Sequence, residues 1–398
     1  MEYNFDEIIE RRNTNSLKWT EYPEDVLPLW VADMDFLTPE LIRNALHAAL
    51  DRGVLGYEFA GSKTKQIVAK RMERLYDWQV DSDWVVTTIG VVNGFNIAAR
   101  AVCGENDGAL VQTPVYHMFY GIHKNIGLTK QIAPFSFDEE GNRLVPNLDL
   151  DVFAKSFHSN DARTRMFLLC HPHNPVGKVF SRDELHSMAE ICLQNDTVIV
   201  SDEIHSELML GDAKHVPMAA LSNEIADKTI TLIAASKAFN TPGLFTAFAI
   251  IPNAELRERF NEVSEQITGH VSSLGIIAAE TAFSGACDDW LAELNVYLKK
   301  NRDFLVDYLT ENFPEARFTI PDATYLQWID FGGYVRSGRI SDSPHKFFLE
   351  KAKVALNDGS VFGEGYENFI RLNFGAPRSL IADALERMRN ALDFKKDE

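Results

Sequence analysis

Cysteine is scarce: Cys103, Cys170, Cys192 and Cys287 are the only four in 398 residues, scattered in apolar contexts without CxxC spacing. They read as buried free thiols, which excludes a zinc site or a disulfide framework and fits a reducing compartment. Positive charge is short as well, with 39 Lys and Arg against 58 Asp and Glu and a formal net charge of -19. Such a chain repels nucleic acid and anionic membrane, although a small-molecule site can still be locally basic. No apolar run approaches the roughly 20 residues of a bilayer span. The acidic start Met1-Glu2-Tyr3-Asn4-Phe5-Asp6 has no apolar core of a signal peptide. Internal repeats, low-complexity tracts and disordered linkers are missing too. What remains is an ordinary globular composition, 45% hydrophobic and 24% charged, long enough for two or three domains and expected in the cytoplasm.

The chain is organised around Thr197 to Phe245. Thr197 to Val200 and Thr229 to Ala235 are short and β-branched without polar alternation, as buried parallel strands are. The first runs into Ser201-Asp202-Glu203-Ile204-His205 and the second into Ser236-Lys237, so a carboxylate, an imidazole and an amine fall at strand carboxyl ends. That is where open α/β sheets bind ligands. Taken singly, Asp202 reads as a helix cap and Lys237 as a solvated loop lysine. Together, beside the loop Asn240-Thr241-Pro242-Gly243, they match what pyridoxal phosphate chemistry needs: an amine that reacts with the aldehyde and an anion for the ring nitrogen.

Along the chain, Thr38-Pro39 predicts a helix start and Gly53 its end, with Leu41, Ile42, Ala45, Leu46, Ala49 and Leu50 on one face. Trp84 to Thr88 reads as a strand, then Ile89-Gly90-Val91-Val92 as a turn opening a helix over Asn93 to Cys103. Free backbone N–H groups and the positive end of that helix suit a phosphate. Ala109 to Gln112 and Met166 to Cys170 read as further strands, the latter entering Pro172-His173-Asn174-Pro175. Between them Phe137 to Pro146 reads as a polar loop. Ser181 with Glu184 predicts a capping box. Two long helices are expected, Ala254 to about Phe283, kinked at Gly269-His270, and Asp288 to about Phe313. Short strands at Arg317 to Ile320, Tyr325 to Asp330 and Phe369 to Asn373, with helices from Ser343 and over Ser379 to Phe394, predict a smaller α+β domain.

Four segments carry a resemblance. His171 to Lys178 (HPHNPVGK), Ser201 to Leu208 (SDEIHSEL), Ser236 to Leu244 (SKAFNTPGL) and Arg371 to Gly375 (RLNFG) resemble, in order, the motifs of fold-type I pyridoxal-phosphate enzymes of the class I/II aminotransferase family. Asn4 to Trp19 and Pro28 to Phe36 (PLWVADMDF) are similar to its cystathionine β-lyase, or C–S lyase, branch of MalY/PatB type.

The resemblance implies an α/β fold with a mostly parallel seven-stranded sheet and a smaller domain. An N-terminal arm (1–45) would join the small domain (286–398), with residues 46–285 holding pyridoxal 5′-phosphate. It makes Lys237 the cofactor lysine and general base, Asp202 the partner of the ring nitrogen, and Tyr116 the aromatic stacked on the ring. Asn174 would donate to the ring oxygen, Ser236 and the Gly90-Val91-Val92 turn would meet the phosphate, and Arg371 would clamp the substrate carboxylate with Asp33 nearby. Tyr57 would reach the cofactor phosphate of the other subunit, implying a homodimer with shared sites. Three departures stand out: Ala234 where many relatives have serine, no basic residue from Ala238 to Phe248, and His205 in place of a tyrosine. The residues alone leave two exits after Cα deprotonation, transamination or expulsion of a thiolate from Cβ. Elimination follows from the branch resemblance, an aminotransferase is the alternative, and a ligand-sensing protein on the same scaffold is disfavoured by the intact Lys237, Asp202 and Arg371.

Overall fold

The computed structural model describes residues 3–393. Its main sheet comprises β1 (Val85–Thr88), β2 (Gly108–Val111), β3 (Thr129–Ile132), β4 (Thr164–Cys170), β5 (Val198–Asp202), β6 (Thr229–Ile233) and β7 (Ala247–Ile250). They lie in the order β1-β7-β6-β5-β4-β2-β3. Only β7 runs antiparallel to its neighbours, so the expected mixed, mostly parallel seven-stranded sheet is present.

Alternation within these apolar strands feeds two cores. Met166, Leu168, Val198 and Val200 face the helix Val91–Val102 with Phe95 and Ala98. Phe167, Leu169 and Ile199 face the helix Arg182–Gln194 with Leu185 and Met188. Helices on both faces exclude water from the middle strands, which is why those strands are uninterrupted apolar runs. The capping box at Ser181 and Glu184 is formed, and it starts the second of those helices.

A second sheet of six strands runs Asn357–Asp358, Phe369–Asn373, Leu326–Asp330, Arg317–Phe318, Arg143–Asn147, Ser136–Glu140. Its last two strands are the stretch expected to be a polar loop. They form a hairpin turned at Gly141, whose φ of 63° suits glycine. The hairpin is recruited by pairing of Arg143 with the distant Phe318. The N-terminal arm adds Leu27–Pro28 alongside Val354–Ala355.

Three further expectations are corrected. Pro39 occupies the cap of the helix Glu40–Asp51, and Thr38 instead donates its hydroxyl to the Asn240 carbonyl at 3.0 Å. The helix after Gly90 begins at Val91, two residues earlier than read. The helix from Ala254 ends at Ile267 instead of kinking, because Thr268 is extended and Ser272 caps a new helix, Ser273–Thr281. The long helix Asp288–Asn312 and the C-terminal helix Arg378–Asp393 fall as predicted, while Phe394 lies outside the described residues.

Candidate active site

The carboxyl ends of β1, β2, β4, β5 and β6 all point to one edge of the sheet, and a cavity of about 860 Å³ opens there. Each strand delivers its own group: Gly90 to Val92 after β1, Tyr116 after β2, Asn174 after β4, Asp202 and His205 at the end of β5, Ser236 and Lys237 after β6. Register fixes their spacing, since Asp202 pairs with Cys170 on one side and Leu232 on the other.

Asp202 is 6% exposed, and one carboxylate oxygen accepts from the Ile204 N–H at 3.1 Å. Burial pushes its pKa up to about 7 despite that bond and the pull of Lys237. Lys237 donates its ammonium to the Ala32 carbonyl at 2.7 Å. Its pKa is pushed down to about 8, chiefly by burial and then by Arg371, against Asp33 and Asp202. His205 is buried with Nδ1 unpartnered, and burial, Lys237 and Arg371 hold it neutral.

Arg371 comes from the second sheet, is 3% exposed and has no carboxylate partner among the described residues. It donates to the Asn174 side-chain oxygen at 3.1 Å, to the Trp30 carbonyl at 3.0 Å and to the Asn357 side-chain oxygen, leaving Nε unpartnered. Burial draws its pKa down to about 10. Two asparagines and a carbonyl thus hold the guanidinium in place without neutralising it, which leaves the charge for a ligand.

The arm closes the cavity. Asn240 bonds the backbone of Met34 and Phe36, Asn373 that of Val31 and Asp33, and Tyr325 donates to the Ala32 carbonyl at 2.9 Å. Trp30 to Asp33 are thereby stapled across the Lys237 amine.

Every site residue expected from the sequence lines this cavity except Tyr57. Tyr57 is 87% exposed in the irregular segment before the helix Ser62–Tyr76, with its ring 5.6 Å from His270. Asp33 lines the cavity but is held by Arg11 at 2.7 Å. Sequence reading missed Trp30, His117, Asn357, Tyr325 and Thr246; of these only Trp30 lay within a quoted motif.

The geometry has parallels among known proteins. The family model described as aminotransferase class I and II matches residues 24–388. Over 396 residues, 98% of this chain and 100% of the relative, the chain is 37% identical to cystathionine β-lyase PatB of Bacillus subtilis. Cystalysin from Treponema denticola, solved with pyridoxal 5′-phosphate, superposes with a TM-score of 0.92 at 34% identity, covering 99% of this chain and 100% of that one. The PLP-bound C–S lyase of Staphylococcus hominis gives 0.91 at 32% identity and 98% coverage of both. This chain belongs to the class I and II aminotransferase family.

Proposed function

We propose that the protein is a pyridoxal-phosphate-dependent C–S lyase of the cystathionine β-lyase type, cleaving L-cystathionine or a related cysteine thioether to a thiol, pyruvate and ammonia. The residues present fit the cofactor. Lys237 offers an amine at the cavity wall and, among the described residues, Asp202 is a buried carboxyl without an ion-pair partner and His205 has an unpartnered Nδ1. The Gly90 turn opens the helix Val91–Val102 toward the same space, as an anion requires. With no basic residue between Ala238 and Phe248, the phosphate would rest on those amides, Ser236 and Tyr57 of a second copy.

Bound there, the cofactor supplies an electron sink that makes the Cα proton of an amino acid labile. Asp202 would hold a proton on the ring nitrogen, and Asn174 would donate to the ring oxygen while its own oxygen accepts from Arg371. Tyr116 would face the ring as an aromatic wall. Arg371 would take the α-carboxylate, orienting Cα toward Lys237, which accepts the proton. The Cβ–S bond then breaks with its electron pair leaving on sulfur. Asp33 would act through Arg11 and the arm, near the substrate but already paired.

The single observation carrying the lyase reading over the aminotransferase is full-length similarity to a named cystathionine β-lyase, because Lys237, Asp202 and Arg371 serve either reaction. Tyr57, exposed beside the exposed Val54, Leu55 and Phe59, supports a homodimer in which it serves the neighbouring site. We place the enzyme in the cytoplasm, and assign residues 1–45 and 286–398 to a small domain around 46–285, with the hairpin at Ser136–Glu140 and Arg143–Asn147 extending the small domain's sheet.

L-cystathionine should yield homocysteine, pyruvate and ammonia without any added keto acid. Turnover that depends on 2-oxoglutarate, with no thiol released from any cysteine thioether, selects the aminotransferase instead. Borohydride reduction and peptide mapping should place the pyridoxyl label on Lys237.

A further inference from the structure

Beside the main cavity lies a second, of about 560 Å³, and His117 and Asn357 line both. Asn357 is the residue whose side-chain oxygen accepts from Arg371, so the second cavity begins just beyond the group assigned to the α-carboxylate. Its other lining includes His123, Lys124 and Lys130, and no carboxylate. In a chain of net charge -19 such a wall runs against the overall sign.

The protein leaves the two lysines unneutralised. Lys130 rests its ammonium 3.8 Å from the centroid of the Tyr120 ring, and among the described residues neither it nor Lys124 has a carboxylate partner. The nearby Glu364 accepts from the Tyr120 hydroxyl at 3.3 Å and lies outside the lining. His123 is pushed below its usual pKa by partial burial and by Lys130 and Lys124, against the pull of the Tyr120 carbonyl. His117 is pushed the same way by burial and Arg371. Burial is the main cause for both imidazoles; Arg371 adds to it at His117, and Lys130 and Lys124 add to it at His123.

We propose that this second cavity receives the anionic far end of the thioether, making the enzyme selective for cysteine thioethers whose leaving thiol carries a carboxylate. The substrate part of this proposal rests on the lyase reading; the charge preference of the cavity does not. A substituent leaving Cβ past His117 and Asn357 enters a space already lined with cations, and its carboxylate gains from each.

The test uses the holoenzyme with two matched substrates, S-(3-carboxypropyl)-L-cysteine and its neutral isostere S-(3-carbamoylpropyl)-L-cysteine. The wild type should prefer the carboxylate by about tenfold in kcat/KM, through KM, and added salt should shrink that preference. The double variant Lys124→Gln/Lys130→Gln should bring the two within about twofold of each other, chiefly by lowering the value for the carboxylate. Lys130→Glu should reverse the order. Equal wild-type values, or a variant that lowers both substrates alike, overturn the proposal. Titration followed by the absorbance of the bound cofactor separates the two readings. Thiol release from both substrates without charge discrimination sinks the pocket and keeps the lyase, whereas charge-dependent binding without thiol release does the reverse.

Discussion

Two groups of buried charge meet the arm within a few residues, Lys237 at the Ala32 carbonyl and Lys18 at Asp35, and they are built on opposite principles. In the arm, Lys18 and Asp35 are each 1% exposed and meet at 2.7 Å. Arg11 bonds Asp35 at 2.6 Å and Asp33 at 2.7 Å, and the Trp19 indole donates to Asp35 at 2.8 Å. Burial works against ionisation of Asp35, yet Lys18, Trp19 and Arg11 outweigh it and hold the carboxyl below its usual range. In the cavity, Asp202 and Arg371 are nearly as deeply set and Lys237 stands half-buried at the wall, but no ion pair joins them. There burial wins, and all three move toward neutrality. Desolvation is costly in both places; the arm offsets it internally, while the cavity leaves it to be offset by whatever binds. Buried charge alone therefore does not mark a site, and missing partners do.

The sharpest break in that contrast is functional. Asp202→Asn should retain the cofactor's visible absorption yet lose turnover by about 10³-fold, since an amide cannot hold a proton on the ring nitrogen. A rate near wild type would reduce Asp202 to a cap for the Ile204 amide. Arg371→Ala should lower kcat/KM by ~10²-fold or more, mostly through KM, as expected when a desolvated partner of a carboxylate is removed. Unchanged saturation would move the carboxylate site elsewhere.

How much of this was legible depended on how local each signal is. Asp202 and Lys237 sit at the ends of apolar strands, so strand, charge and edge of the sheet could be read from a few consecutive residues. Arg371 was legible through its motif, but its burial and its hold on Asn174 and Asn357 come from residues up to 197 positions away. The hairpin Ser136–Glu140 and Arg143–Asn147 escaped because its polar strands become a sheet edge only when Phe318 arrives beside Arg143. The staples from Asn240, Asn373 and Tyr325 to the arm were invisible for the same reason: each joins a side chain to a backbone group more than 200 positions distant. His117 and Asn357 carry no motif at all and become notable only as a wall between two cavities.

The arm should fail in the opposite way when a partner is removed. Lys18→Met leaves Asp35 buried with only Arg11 and Trp19, and should lower the free energy of unfolding by about 3–5 kcal/mol in urea titrations. A loss below about 1 kcal/mol would show that Lys18 and Asp35 behave as a surface pair, and the contrast with the cavity would collapse.

The finest test uses pH on protein stripped of its cofactor. Folded Asp202 titrates at about 7, against about 3.9 for an unfolded chain. Above pH 7 both states are ionised and the folded state bears the full cost of a buried carboxylate; below about pH 4 both are protonated and the cost vanishes. Stability from this group therefore falls as pH rises between those limits. Asp202→Asn removes the charge at every pH, so the cofactor-free variant should be more stable than wild type at pH 8, by about 1–3 kcal/mol, and the gap should narrow steadily as pH falls from 7 toward 4. The full shift would give more, but Lys237, itself drawn down to about 8, loses the attraction of Asp202 and returns part of the gain. A gap that is absent, or that widens on acidification, would mean that Asp202 is already compensated within the protein, as Asp35 is.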